Sequence, residues 1–147
     1  MNQKIINKIL YYLFNINKPS FIYNEEMAFS YLNINNGIIY YKKINYLNFY
    51  FAIAHELRHH YQHYYIQNYK NKYANIIKYE LNNYDLKYHD NYFIENDATA
   101  FAFIMMKKIF NIEYLPKNNN SIYIKQFIYN NMQYYQKTMK GNNKEYE

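Results

Sequence analysis

Two histidines and a glutamate fall within five residues of one another, at His55, Glu56 and His59. The surrounding segment, residues 46–66, has apolar residues at helical spacing and contains neither proline nor glycine. On a helix, residues four apart share a face, so the two imidazoles can reach one metal ion. Glu56 would lie beside that ion, placed to take a proton from water. The pattern predicts a zinc-dependent hydrolase, since zinc lowers the pKa of its bound water to ~7.

A catalytic zinc ion needs a third protein ligand, and the residues directly after the motif do not settle which one. One class of zinc peptidase carries glycine and histidine three and six residues after the second histidine. Here those positions are Gln62 and Tyr65, which excludes that class. His63 lies four residues after His59 and has the spacing of a ligand, but no acidic residue follows it.

Two acidic residues, Glu95 and Asp97, open an otherwise apolar segment that is predicted to be helical. They either complement the positive end of the helix dipole or turn one carboxylate inward to the metal. Alanines at positions 98, 100 and 102 would let this helix approach the histidine helix closely. Either Glu95 or Asp97 could therefore be the third ligand.

Four further residues are candidates for supporting roles. Arg58 is the single arginine beside 16 lysines, so it either forms a two-point pair with a carboxylate or is solvated on the back of the helix. Tyr88, His89 and Tyr92 precede the glutamate helix, and one of them could stabilise the oxyanion of a tetrahedral intermediate. With 23 tyrosines in the chain, packing is the competing explanation for each tyrosine.

The elements that must position these residues indicate an α+β fold. An amphipathic helix is expected from Ile5 to Leu13, followed by two strands around the turn at Asn36-Gly37. Asp90 or Asn91 is expected to cap the glutamate helix. The predicted ranges are 28–34 and 38–41 for the strands, 74–81 for a short helix, a glutamate helix ending near residue 110, and a last helix from 122 to 135 capped by Ser121.

Composition limits the classes of protein. The absence of cysteine excludes disulfides and thiolate metal sites. The net charge of +6 comes from scattered lysines, so nucleic acid is not an expected partner. No segment has the length of a membrane span or the pattern of a signal peptide, so a cytoplasmic protein is expected. We predict one domain over residues 1–139 and a disordered tail over 140–147.

The sequence HELRHHYQ, followed by a glutamate, an aspartate two residues on and an alanine, resembles a known family. It is similar to the short gluzincin-type metallopeptidase domains of the ImmA/IrrE kind, which are frequent in Gram-positive bacteria, phages and mobile elements. The resemblance covers roughly residues 20–110. In the gluzincin pattern the ligand glutamate is followed three residues later by alanine or serine, as Glu95 is followed by Ala98. Thr99 stands where gluzincins often have aspartate, and the sequence after Phe101-Ala102 also departs from the ImmA-like pattern.

The resemblance implies a small zincin-like domain, in which a short antiparallel hairpin or sheet packs on the histidine helix and a glutamate helix follows. It implies His55, His59 and Glu95 as zinc ligands, with Asp97 as the second choice for the third ligand. It also implies Glu56 as catalytic base and a peptide or protein as substrate. By similarity to zinc peptidases, the strand at 38–41 is expected to be an edge that pairs with the substrate. The alternative is a zinc-stabilised regulatory protein of the antirepressor type that binds a partner without cleaving it.

Overall fold

The computed structural model describes residues 1–13, 16–27, 30–42 and 45–112, and these form the predicted α+β fold. The expected helix at 122–135 with its Ser121 cap, and the tail at 140–147, lie outside the described residues. The elements are α1 (Gln3–Tyr12), β1 (Ser20–Tyr23), β2 (Tyr31–Asn33), β3 (Ile38–Tyr41), α2 (Tyr46–Asn68), α3 (Lys72–Asn82), a 3₁₀ helix (Leu86–Asn91) and α4 (Phe93–Phe110).

Asparagine side chains cap the first three α-helices. In each case the side-chain oxygen accepts a hydrogen bond, 3.0 Å long, from a backbone N–H in the first turn. Such caps satisfy N–H groups that have no partner within the helix. The capping residues are Asn2 for α1, Asn45 for α2 and Asn71 for α3.

The start of α4 differs from the prediction. Asp90 and Asn91 do not cap it, because both belong to the preceding 3₁₀ helix. Instead, the Glu80 carboxylate on α3 accepts hydrogen bonds from the N–H groups of Phe93 (2.8 Å) and Ile94 (2.9 Å). A carboxylate there satisfies two N–H groups and complements the helix dipole. α3 therefore fixes where α4 begins.

The three strands form one mixed sheet in the order β1-β3-β2. β2 and β3 are the predicted antiparallel pair, and β1 adds a parallel partner on the other side of β3. Gly37 closes the turn between β2 and β3 at a φ of 65°, a conformation that glycine adopts without steric cost. The prediction that residues 38–41 form an edge is therefore wrong: β3 is central, because β1 pairs with its free side. Within the described residues, the edge beside the histidine helix is β2.

α2 and α4 pack face to face and form the centre of the core, with the sheet on α2 and α3 against both helices. The close approach of α4 follows from small side chains, since its three alanines are fully buried. The apolar face predicted for α2 is also buried. The residues concerned are Tyr50, Ile53, Ala54, Leu57 and Tyr61 on α2, and Ala98, Ala100 and Ala102 on α4.

The N-terminal segment forms the predicted amphipathic helix. Ile6, Ile9 and Leu10 of α1 are buried against the core, whereas Lys4 and Lys8 are exposed. Within the part of the chain that the structure describes, no helix is both long and apolar enough to cross a membrane.

Candidate metal centre

The histidines of the motif lie on one face of α2, as their spacing predicts. Their side chains are mostly buried, with 16% of His55 and 14% of His59 exposed. The two Nε2 atoms are 3.0 Å apart. α2 therefore presents two potential metal-binding nitrogens at a single point.

Glu95, in the first turn of α4, completes the cluster. Its Oε2 lies 3.3 Å from Nε2 of His55 and 3.2 Å from Nε2 of His59. The three donors belong to residues separated by up to 40 positions in the chain, and the close packing of α4 on α2 brings them together. They form a group of three potential metal ligands.

The distances between the three donor atoms can be compared with those between the ligand atoms of a metal site. Metal–ligand bonds of about 2.0–2.1 Å in a tetrahedral arrangement place two ligand atoms about 3.3–3.4 Å apart. The observed distances between the three donor atoms, 3.0, 3.2 and 3.3 Å, come close to that value. Two imidazole nitrogens and a carboxylate oxygen suit zinc and several other divalent metals of the first transition row. The residues fit a bound metal ion with a further position left for water.

Asp97, the second choice for third ligand, faces away from this cluster. Its carboxylate forms a fully buried two-point ion pair with Arg58, with Nε–Oδ2 at 2.9 Å and Nη2–Oδ1 at 3.1 Å. The guanidinium lies between the rings of Tyr61 and Phe101, at 4.7 and 5.3 Å from their centroids. The lone arginine thus has the two-point partner that its side-chain geometry favours.

Two hydroxyl groups contact the outer side of the cluster. Thr99 Oγ1 is 3.2 Å from Nδ1 of His55. Tyr84 donates a hydrogen bond of 3.1 Å to Oε1 of Glu95. The role of Tyr84 was not predicted, because one tyrosine among 23 carries no signal in the sequence.

Glu56 is held by the edge of the sheet. The backbone N–H of Leu32, in β2, donates a hydrogen bond of 2.7 Å to Oε2 of Glu56. Because Leu32 N–H points toward α2, it is not used in pairing with β3. The carboxylate is therefore oriented beside the metal-ligand cluster, and the contact could not be read from the sequence because it involves a backbone group.

A cavity of about 380 Å³ opens over the cluster. It is lined by residues of β2 and the following turn and by residues of α3, the 3₁₀ helix and the start of α4, besides those of α2. His63 lines this cavity but is not part of the three-residue ligand group. Burial lowers its pKa, and the neighbouring charges of His59 and His60 lower it further.

Of the three residues considered as oxyanion stabilisers, His89 lines the cavity. Its Nε2 lies 3.0 Å from Oε2 of Glu95, and the side chain is partly exposed. The Tyr92 hydroxyl is instead bonded to the backbone carbonyl of Asn83 at 3.1 Å, and Tyr88 is about half exposed to solvent. His89 is thus the one of the three placed to reach a molecule bound in the cavity.

The cluster attracts positive charge. Burial disfavours a charged His59, but the hydrogen bond and negative charge of Glu95 outweigh it and raise the pKa of His59 to about 9. Burial alone would raise the pKa of Glu95, yet hydrogen bonds from His55 and His59 hold it well below its usual range. Burial and the charge of Glu95 raise the pKa of Tyr84. In the metal-free protein, a proton on His59 supplies the positive charge that the Glu95 carboxylate attracts.

The structure thus brings His55, His59 and Glu95 together with Glu56 at one cavity. No protein-family model, curated protein or solved structure matches the chain. What this centre does is therefore inferred from its own residues.

Proposed function

We propose that the protein is a zinc-dependent metallopeptidase of the gluzincin type. The observation that carries the proposal is the convergence of His55, His59 and Glu95 on one point, with the Glu56 carboxylate at the same cavity. A purely structural zinc site usually has four protein ligands and needs no base. Three ligands beside a carboxylate and an open cavity suit hydrolysis better.

When bound, zinc would supply a water molecule whose pKa is lowered to ~7. Glu56 would take the proton from that water and pass it to the leaving amine. The hydrogen bond from Leu32 N–H holds the carboxylate in place at the cavity. His89 would donate a hydrogen bond to the oxygen that gains negative charge as water attacks the peptide carbonyl.

The path of the substrate follows β2. Tyr31, Leu32 and Ile34 line the cavity, so an extended chain would lie beside β2 and not beside the central strand β3. Leu86 also lines the cavity and is 73% exposed, and Ile34 is 61% exposed. Two exposed aliphatic side chains in the cavity lining favour a substrate with an apolar side chain near the bond that is cut.

The test begins with metal analysis of the purified protein, for which we expect one zinc ion per chain. His55→Ala should lose the metal. Glu56→Gln should keep it, because the change leaves all three ligands in place, but should abolish cleavage of the peptides that the wild type cuts in a library varied around the cleaved bond. Glu25→Gln, an exposed change outside the cavity, serves as the matched control and should cleave like the wild type.

Absence of stoichiometric zinc, together with unchanged properties of His55→Ala, would refute the proposal. Equal cleavage by Glu56→Gln and the wild type would refute the role of Glu56. Stable binding of a protein partner without cleavage would favour the regulatory alternative.

A further inference from the structure

Gln62 lies between the candidate metal centre and the buried ion pair behind it. Its side chain is buried on α2, one turn after His59. The amide contacts three groups: Nδ1 of His59 at 2.9 Å, the carbonyl oxygen of Ile94 at 3.0 Å and Oδ2 of Asp97 at 2.7 Å. One side chain therefore touches both a candidate metal ligand and the Arg58–Asp97 pair.

The partners of Gln62 decide which way its amide faces. The carbonyl of Ile94 can only accept, and so can the carboxylate of Asp97 in its pair with Arg58. The amide NH₂ must point to these two oxygens. The carbonyl oxygen of Gln62 is left to face His59, and a carbonyl oxygen can only accept a hydrogen bond.

The orientation of Gln62 in turn decides where His59 carries its proton. Because the amide oxygen faces Nδ1, that nitrogen must be the donor, and Nε2, which faces His55 and Glu95, is the nitrogen at which a metal ion would take the place of a proton. The opposite tautomer would leave two acceptors facing each other. Turning the amide over to relieve this would place its oxygen against Asp97 and Ile94.

Asp97 is itself held in place by strong donors. Oδ2 accepts from Nε of Arg58, from Gln62 and from the Tyr73 hydroxyl at 3.0 Å, and Oδ1 accepts from Nη2 of Arg58. All of these groups are buried. A buried carboxylate so fully bonded has no freedom to release Gln62.

We propose that Gln62 is a positioning residue that keeps a proton on Nδ1 of His59, and that the buried Arg58–Asp97 pair holds Gln62 in the required orientation. His59 is thereby prepared to bind a metal through Nε2. His55 is not constrained in this way, because the Thr99 hydroxyl near its Nδ1 can either donate or accept. The proposal extends the metal centre of the proposed function but can be tested without a metal.

The experiment is NMR detection of the ring N–H protons in the metal-free protein, labelled with ¹⁵N. We expect the Nδ1–H of His59 to be visible and to exchange with water at least about ten times more slowly than that of His55. In Gln62→Met this signal should be lost through exchange with water, because the acceptor that protects the proton is gone. In Gln62→Glu it should persist, because the acceptor is retained. Gln67→Met, an exposed change on the same helix, should leave it unaltered.

Zinc affinity is the second readout, measured by competition with a chelator. Loss of a hydrogen bond behind a ligand histidine typically weakens metal binding 10–100-fold, which we expect for Gln62→Met and not for Gln67→Met. A His59 signal that is absent from the wild type, or that persists in folded Gln62→Met, would overturn the proposal. If the wild type binds no zinc while the NMR pattern is as expected, the proposed function fails and the role of Gln62 stands. The wild-type comparison of His59 with His55 decides the matter even where a variant does not fold.

Discussion

Arg58 and Asp97 form an ion pair that is wholly inaccessible to solvent, joined at two points by hydrogen bonds of 2.9 and 3.1 Å. The pair ties the middle of α2 to the first turns of α4, where Glu95 of the metal-ligand cluster also lies. It therefore supports the fold and the candidate metal centre at once.

Removing the arginine charge should destabilise the fold strongly. Arg58→Met leaves the Asp97 carboxylate buried without its cation, and such losses typically cost about 3–5 kcal/mol. Arg58→Lys should be intermediate, since one ammonium group cannot bond both oxygens in the same plane. Urea unfolding measures both values. Lys78→Met, an exposed change on α3, is the control and should stay within about 0.5 kcal/mol of the wild type. A loss under about 1 kcal/mol for Arg58→Met would contradict this account.

The cap that Glu80 provides to α4 should affect both stability and metal binding. Glu80→Ala removes the acceptor for two N–H groups, which we expect to lower the free energy of unfolding by about 1–2 kcal/mol. Because Glu95 lies in the turn that Glu80 holds, zinc affinity should fall as well. Glu26→Ala is a matched exposed control, and chelator competition with urea unfolding gives both quantities. Unchanged zinc affinity in a destabilised Glu80→Ala would limit the cap to a role in stability.

Zinc should stabilise the folded protein through the three ligands. At a free zinc concentration 100 times the dissociation constant, binding adds about 2.7 kcal/mol, provided the unfolded chain does not bind the metal. The wild-type Tm should rise with added zinc and return on addition of a chelator. Glu95→Ala should lose most of this rise. The idea fails if the Tm of Glu95→Ala responds to zinc as the wild type does.

The effect of pH should have opposite signs with and without metal. In the metal-free protein the pKa of His59 is raised from 6.5 to about 9, so its proton stabilises the fold fully below about pH 6.5 and less as pH rises through 9. The lowered pKa of Glu95 contributes stability above about 4.5, which is lost as pH falls below that value. The charged forms of Glu95 and His59 together therefore stabilise the metal-free fold most between about pH 4.5 and pH 6.5.

Zinc must displace the proton from His59, so metal binding should strengthen as pH rises. The difference in Tm between zinc-loaded and chelated protein should therefore grow from pH 6 to pH 8.5. Differential scanning calorimetry across this range measures it. A difference that shrinks or stays constant with pH would show that no proton is displaced on binding.

The apolar walls of the cavity should set the choice of substrate. Leu86→Asp places a charge where an apolar substrate side chain would lie, and we expect kcat/KM for apolar substrates to fall about tenfold or more, near the value of one buried aliphatic contact. Stability should hardly change because Leu86 is 73% exposed. Ile22→Asp, an exposed aliphatic position on β1 away from the cavity, is the control. Equal losses of kcat/KM in both variants would show that Leu86 does not select the substrate.

The choice between Glu95 and Asp97 as third ligand shows which features of the site can be predicted from the sequence. Two residues apart on a helix are turned by about 200° from each other, so only one of them can face His55 and His59. The sequence restricts the choice to these two acids, but α2 carries a basic partner for each: the histidines for one carboxylate and Arg58 for the other. Which carboxylate meets the histidines and which meets Arg58 depends on the rotation of α4, and that is set by packing of the whole helix.

Within the described residues, local patterns predicted the α-helices and the hairpin, whereas pairings between distant residues were missed. Asn-capped helices and the turn at Gly37 depend on residues next to one another in the chain. The parallel pairing of β1 with β3, and the capping of α4 by Glu80, join residues 13 or more positions apart. Their side chains have no special spacing, so nothing in the sequence distinguishes them from other exposed acids or short apolar runs.

The shortness of β2 bears on how selective such an enzyme would be. β2 has only three residues, and the N–H of its central residue, Leu32, is already bonded to Glu56. A polypeptide lying along this edge would gain little from main-chain pairing, which is the part of recognition that is the same for every sequence. Binding would then depend on the side chains that the cavity accepts. A site of this kind suits the cutting of a few chosen targets better than the general degradation of unfolded chains.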